Sequence, residues 1–491
     1  MAPRPDDAPR SLAGAWGARV KLAVVGLDSA DWTLLDRWSH HLPHIAAIRR
    51  DGISGPLTTC KPPVTIPAWK CYATGKNPGK LGIYWFARLD FDGRSLELNL
   101  PGGIPGNLWD FIPRSLVVNT PGTYPPRTID GVMISGFPCP DDQPAVTPPW
   151  VLPRLNGYRA NTLVPPRHPD FPEQAMDLMR HQLETFERLA PRFRFGQVTA
   201  FHIDELHHLY GSDSIVLDAW KMLDEAIGRI MDLADNVLLV SDHGSGPMEE
   251  FVNVAPFLQG AGLLRLAKDR GRAALAAALR LSQLVPSGVR SRLKDRWIFP
   301  KVASAARTRV EPLHEWLPVA SVQLRHRIDW SSPVIPLNQG LIWRNPNGKQ
   351  GPRTEDRLLE CVRGMPGVAH VWPRGEIYHG AHMNAAPDLW VEGKPGTELV
   401  ARFGETWERR RPEKGNGWIV NHRSDGIFGF YGKDVDGGPV GPARIYDMCP
   451  TILSFFGVPP PPDVDGKVLP VLRHQEREAH GGPRTAGGRA G

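Results

Sequence analysis

Apolar residues along this chain gather in short runs that stop at an acid or a histidine. Leu22-Ala-Val-Val-Gly-Leu27 ends at Asp28, and Val198-Thr-Ala-Phe201 leads through His202 and Ile203 to Asp204. Val237-Leu-Leu-Val240 passes Ser241 into Asp242-His243, and Trp418-Ile-Val420 passes Asn421 into His422. Between the runs lie stretches of helical period, over Trp32–Arg50, Glu173–Leu189 and Ser214–Leu233. Short apolar runs bounded by polar residues and separated by helices predict the buried, mostly parallel strands of an α/β fold. In an open α/β sheet the site lies beyond the carboxyl ends of the strands. Four such ends carrying Asp or His therefore mark a candidate site, although any one Asp could simply cap the helix that follows.

The two ends of the chain lack this pattern. Residues 1–18 read as a loose arm and 473–491 as a polar tail. A core is expected over 19–264 and 416–472, with 265–415 inserted as a cap or subdomain. Within that insert, the cations from Arg265 to Arg309 face only Asp269 and Asp295. Three readings of this basic stretch stay open: a solvated helical cap, a surface touching an anionic partner, or a lid that draws in anionic substrates.

Composition narrows the class. The 491 residues are 41% hydrophobic and 22% charged, which is globular. The 50 Gly and 50 Pro are dispersed, indicating ordered loops rather than one low-complexity tract. No apolar stretch approaches the roughly 18 residues of a membrane span, and the N-terminus has no continuous apolar segment of a secretory leader. Five cysteines without a CxxC pair suit free thiols in a reducing compartment, so a cytoplasmic protein is expected. Net charge +6 is mildly basic and would suit an anionic small-molecule substrate; nucleic acid is not an expected partner, and oligomeric state is not encoded legibly.

The candidate chemistry starts from the residues at the run ends. Asp204 and His208 stand four apart, so one helical turn can aim both at one ion. With Asp28, Asp242, His243 and His422 they make three carboxylates and three imidazoles. Such a set suits Zn²⁺ or Mn²⁺ rather than Mg²⁺ or Ca²⁺. Six ligands exceed the need of one tetrahedral ion, so two divalent ions are expected, and phosphate esters are the common substrates of such pairs. Thr65, in Lys61-Pro-Pro-Val-Thr65-Ile-Pro-Ala-Trp69, is the candidate nucleophile at a helix start, where free N–H groups favour phosphate. An ordinary N-cap is the plainer alternative for that threonine. Lys70 reads as a surface lysine, and Trp69 and Trp85 as core or pocket wall. His207 is expected beside the ligands or at the surface, and His202 carries no assignment.

In this order, several motifs resemble the alkaline phosphatase superfamily. They are Gly26-Leu-Asp28-Ser-Ala-Asp31-Trp32, the Thr65 segment, Ala73-Thr-Gly-Lys-Asn-Pro-Gly-Lys80, Asn119-Thr-Pro-Gly-Thr-Tyr-Pro-Pro126 and Ser241-Asp-His-Gly244. Pro387-Asp-Leu389, Asp447-Met-Cys-Pro-Thr-Ile-Leu453 and Asp465-Gly466 continue the series. The nearest likeness is to the bacterial and archaeal type I phosphodiesterase/nucleotide pyrophosphatase branch. The resemblance implies an alkaline-phosphatase-like α/β core, with one metal on Asp204, His208 and His422. It implies a second on Asp28, Asp242, His243 and the Thr65 hydroxyl. It further implies hydrolysis of phosphodiester or pyrophosphate bonds through a covalent phospho-threonine. Monoester hydrolysis, transfer to an alcohol, or simple metal-dependent binding of a phosphate ligand are the alternatives. Three departures bear on the substrate: Ala68, where eukaryotic-type nucleotide pyrophosphatases carry Asn, Leu81, where many relatives carry His, and Ser245, where many relatives carry a bulky residue. Nucleotide specificity therefore does not follow. A sulfatase is not expected, because Cys60-Lys-Pro-Pro-Val64 lacks the arginine of the CxPxR signature.

Overall fold

The computed structural model describes residues 19–139, 145–166, 168–267, 324–412, 418–436 and 440–473. The arm, the tail beyond residue 473 and most of the basic stretch, 268–323, lie outside the described residues.

The central strand forms because six consecutive apolar or small residues can be buried on both faces. This is β1 (Leu22–Leu27), every residue of which is buried. Around it the structure assembles β2 (Ile53–Thr58), β3 (Ser115–Val118), β4 (Gly131–Ile134), β5 (Val146–Thr147), β6 (Phe195–Ala200), β7 (Asn236–Val240), β8 (Asp425–Gly432) and β9 (Ala443–Arg444). Their order across the sheet is β9-β2-β8-β7-β1-β6-β3-β4-β5. β1 pairs in parallel with β6 and β7, with Leu27 opposite Ala200 and Gly26 opposite Val240. That register brings Asp28, Phe201 and Ser241 out together at one end of the sheet. β8 runs antiparallel between β7 and β2, and β5 is antiparallel to β4.

Two helical layers cover the sheet, and β1 shows how. Ala23, Val25 and Leu27 face a core shared with α2 (Pro43–Asp51), α4 (Phe171–Leu189) and α6 (Ser214–Leu233). Leu22 and Val24 face the other, shared with α3 (Thr65–Thr74) and α7 (Met448–Phe455). Gly26 lies on the α3 side. A Cβ there would stand 2.6 Å from both the Trp69 ring and Thr199 Oγ1, so only glycine lets Trp69 seat against β1.

A separate four-stranded antiparallel sheet is made by Val334–Pro336, Leu341–Arg344, Leu389–Gly393 and Val368–Pro373. Its core also draws on Trp85, Leu96 and the segment Val252–Leu264. No helix of the described residues is long and apolar enough to cross a membrane. All five cysteines are free.

Three expectations are corrected. The helical period over Trp32–Arg50 is broken: α1 (Trp32–Arg37) and a short 3₁₀ turn, Ser39–His41, precede α2. Pro43 has no N–H to continue the ladder and forces Leu42 out of helical geometry. The run Trp418–Val420 supplies no strand of the central sheet. Its last residue begins Val420–Arg423, which pairs antiparallel with Gly244–Pro247 as a two-stranded ribbon. Three apolar residues followed by Asn421, His422 and Arg423 cannot be buried on both faces, and Trp418 is 44% exposed. Lys70 is not at the surface but 3% exposed, inside the α3 layer.

Candidate metal centre

Four elements end at one place. β1 delivers Asp28, and β7 delivers Asp242 and His243. The chain leaving β6 turns at Phe201 into α5 (His202–Tyr210), which carries Asp204 and His208. The ribbon strand Val420–Arg423 carries His422. Thr65 is the first residue of α3. Val64 occupies the capping position without a side-chain cap bond, so the Thr65 hydroxyl is not used as an N-cap.

All seven predicted residues are brought together. Ligand atoms of Asp204, His208 and His422 lie within 4.8 Å of one another, as do those of Asp28, Asp204 and His243. His208 Nε2 is 3.2 Å from Asp204 Oδ2 and 3.0 Å from His422 Nε2. His243 Nε2 is 3.2 Å from Asp242 Oδ2, 3.7 Å from Asp28 Oδ1 and 3.3 Å from Thr65 Oγ1. Asp28, Asp242 and His243 have no exposed surface.

The hydrogen bonds around the imidazoles decide what the inner atoms can do. His208 Nδ1 donates to Val420 O at 2.7 Å, His422 Nδ1 to Pro63 O at 2.7 Å, and His243 Nδ1 to Gly244 O at 3.2 Å. A carbonyl can only accept, so each Nε2 is left as a lone pair turned inward. Three buried carboxylate oxygens, Asp28 Oδ1, Asp204 Oδ1 and Asp242 Oδ2, have no hydrogen-bond partner. Inward lone pairs and orphaned anionic oxygens repel one another unless cations lie among them. The donor set, mixed N and O without sulfur, fits Zn²⁺ or Mn²⁺.

The ionisation behaviour agrees. Burial, together with the Asp242 and Asp204 charges, pushes the Asp28 carboxyl well above the usual carboxylate range. Burial and Asp204 push Asp242 up to about 8. Burial would raise Asp204 too, but positive charge at His208 and His422 outweighs it and holds that carboxyl well below its ordinary value, a role that a cation among neutral imidazoles would take over. Burial and then His422 push His243 well below the ordinary imidazole value.

A surrounding layer packs about the candidate ligands, and much of it is not legible in the sequence. Trp69 Nε1 donates to Asp28 Oδ2 at 2.8 Å, leaving Oδ1 toward the centre. Ser241 Oγ accepts from Ala30 N at 3.0 Å and donates to the His243 carbonyl. His207 is buried, bonded to Ser245 and Trp220. Lys70 Nζ donates to Asn107 Oδ1 at 2.7 Å and Ile104 O at 3.1 Å. Trp418 lies flat on His208, ring centroids 3.7 Å apart, at the open side of the centre. Trp69, an aromatic one turn into the Thr65 helix with glycine at β1, and His207, adjacent to a candidate ligand, offered a signal. The others depend on contacts across large sequence separations.

The mostly parallel sheet flanked by helices is an alkaline-phosphatase-like α/β fold. The chain belongs to the family Type I phosphodiesterase / nucleotide pyrophosphatase, whose model matches residues 22–419. It is a phosphoric ester hydrolase by that membership. Among solved structures it is similar to phosphonoacetate hydrolase from Sinorhizobium meliloti 1021, at 13% identity and TM-score 0.57, covering 89% of this chain and 95% of that one. Similar too are alkaline phosphatase PafA (14%, TM-score 0.53, covering 93% and 99%) and human ectonucleotide pyrophosphatase/phosphodiesterase 5 (13%, TM-score 0.51, covering 91% and 97%). No curated protein matches the chain in sequence.

Proposed function

We propose that this chain hydrolyses phosphodiester or pyrophosphate bonds through a phospho-threonine on Thr65, at a site holding two divalent ions, Zn²⁺ or Mn²⁺. One observation carries the reading. Three imidazoles commit Nδ1 to backbone carbonyls and present Nε2 inward, among three orphaned carboxylate oxygens and beside the Thr65 hydroxyl.

Asp204, His208 and His422 would hold one ion; Asp28, Asp242 and His243, with Thr65, the other. Such ions neutralise the converging carboxylates and the charge of a phosphoryl group in transfer. The helix start at Thr65 adds free backbone N–H groups toward phosphate oxygens. Thr65 Oγ1 attacks phosphorus, the bond to the leaving alcohol breaks, and the hydroxyl proton leaves with that alcohol. Water then attacks the phospho-threonine, freeing Thr65 and a phosphate monoester. Burial of the centre excludes competing water from the first step.

The test is the rate ratio of bis-p-nitrophenyl phosphate to p-nitrophenyl phosphate on zinc-loaded protein. A preference for the diester supports the reading. A preference for the monoester replaces it with a phosphomonoesterase, and product formation increased by an added alcohol replaces hydrolysis with phosphoryl transfer.

A further inference from the structure

His422 reaches the centre from a two-stranded ribbon, Gly244–Pro247 with Val420–Arg423, that is not part of the central sheet. Such a ribbon is marginal by itself, yet His422 must meet Asp204 and His208 on α5 within tenths of an ångström. Something must dock the ribbon on the helix. His208 ties one strand: its Nδ1 donates to Val420 O at 2.7 Å, and its carbonyl accepts from Ile419 N at 2.8 Å. The other strand is tied by the preceding residue. His207 Nδ1 lies 3.1 Å from Ser245 Oγ, and Ser245 stands directly opposite His422 in the ribbon.

The direction of this bond is fixed by a third residue. Trp220 Nε1, on α6, lies 2.8 Å from His207 Nε2, and an indole nitrogen can only donate. His207 Nε2 therefore accepts, its proton sits on Nδ1, and Nδ1 donates to Ser245. With Nε2 occupied, His207 is excluded as a ligand through that atom, and its adjacent histidine alone faces the ions. Both His207 and Trp220 are fully enclosed, at 1% and 0% exposed.

We propose that His207 is a positioning residue: held in one tautomer by Trp220, it fastens Ser245 and so sets His422 against Asp204 and His208. The inference rests on the metal-centre reading above. Groups of this kind, which orient ligands without touching the metal, typically contribute about tenfold to a hundredfold in metal affinity.

The experiment is a Zn²⁺ titration against a chromophoric chelator, paired with the visible spectrum of the Co²⁺-loaded protein. Wild type is compared with His207→Phe, Ser245→Ala, His207→Asn and the double variant His207→Phe/Ser245→Ala. We expect His207→Phe and Ser245→Ala each to weaken one of two ions about tenfold and to change the Co²⁺ spectrum. The double variant is expected to be no worse than His207→Phe. His207→Asn, which keeps a donor near the Nδ1 position, recovers most of the loss. Unchanged affinities and spectra in folded His207→Phe and Ser245→Ala overturn the proposal, as do losses that multiply in the double variant. If His207→Phe does not fold, Ser245→Ala decides. Wild type that binds no ion sinks the metal-centre reading itself, whereas wild type that binds two ions beside unaffected variants sinks only the role of His207.

Discussion

Asp28 is useful to the centre because of a tryptophan forty-one positions away that occupies its second oxygen. Trp69→Phe removes the donor and leaves a cavity beside Gly26, and is expected to weaken metal binding about tenfold in a chelator titration and to lower the melting temperature as well. Thr65→Ala removes the oxygen proposed to attack phosphorus. Turnover is expected to fall by at least about a thousandfold, while metal content measured by atomic emission stays near that of wild type. Retained turnover would show that water attacks the ester directly. Lys70 predicts a pH effect on stability rather than on chemistry. Burial holds its ammonium down to about 7, far below an unfolded lysine at about 10.4. Between those values the unfolded chain binds the extra proton, so this residue makes the fold more stable as pH rises from about 7 toward 10. Denaturant titrations of wild type and Lys70→Met at several pH values should show that slope in wild type only. The candidate ligands Asp28, Asp242 and His243 were legible because they stand where apolar runs end, and His208 because it follows Asp204 by one helical turn. Lys70 was not, because a lone charged residue gives no sign of which layer will cover it; for His207 a place beside the candidate ligands was legible, but its partners Ser245 and Trp220 were not.

Elements were legible to the extent that their signals are local. The two long helices α4 and α6 and the strands β1 and β7 follow from periodicity and from continuous apolar runs. The break at Pro43 is equally local, but apolar residues continue in phase on both sides of it and hide it in the periodicity. α2 begins without a cap of its own, since Leu42 offers no side-chain acceptor. Asp224 of α6 serves instead, accepting from Ile45 N at 2.8 Å and His44 N at 3.2 Å while its carboxylate meets His44 Nδ1 at 2.8 Å. Asp224→Ala leaves these donors unpaired beneath a buried helix start, and should destabilise the fold by about 2 kcal/mol in denaturant unfolding. Trp418 shows the opposite failure of local reading. Its apolar run resembles a strand, yet the indole lies on His208 and stays half in solvent.

At the scale of the molecule, the α/β class was legible because buried parallel strands leave apolar runs that no other class requires. The sheet order was not, since β8 returns antiparallel into the interior and nothing in its sequence names its neighbours. The centre also couples to global stability, because three buried carboxylates crowd together there. Chelation with EDTA is expected to lower the melting temperature and added Zn²⁺ to restore it, rising with the logarithm of the free ion concentration, as binding to the native state alone requires. Insensitivity of the melting temperature to both would show that no ion is held. The place of β8 has one more consequence, for the order of synthesis. β7 and β2 are joined only through a strand that leaves the ribosome after residue 424. Until then both expose open edges, and nascent chains of this protein wait, sheet divided, for a late-arriving piece.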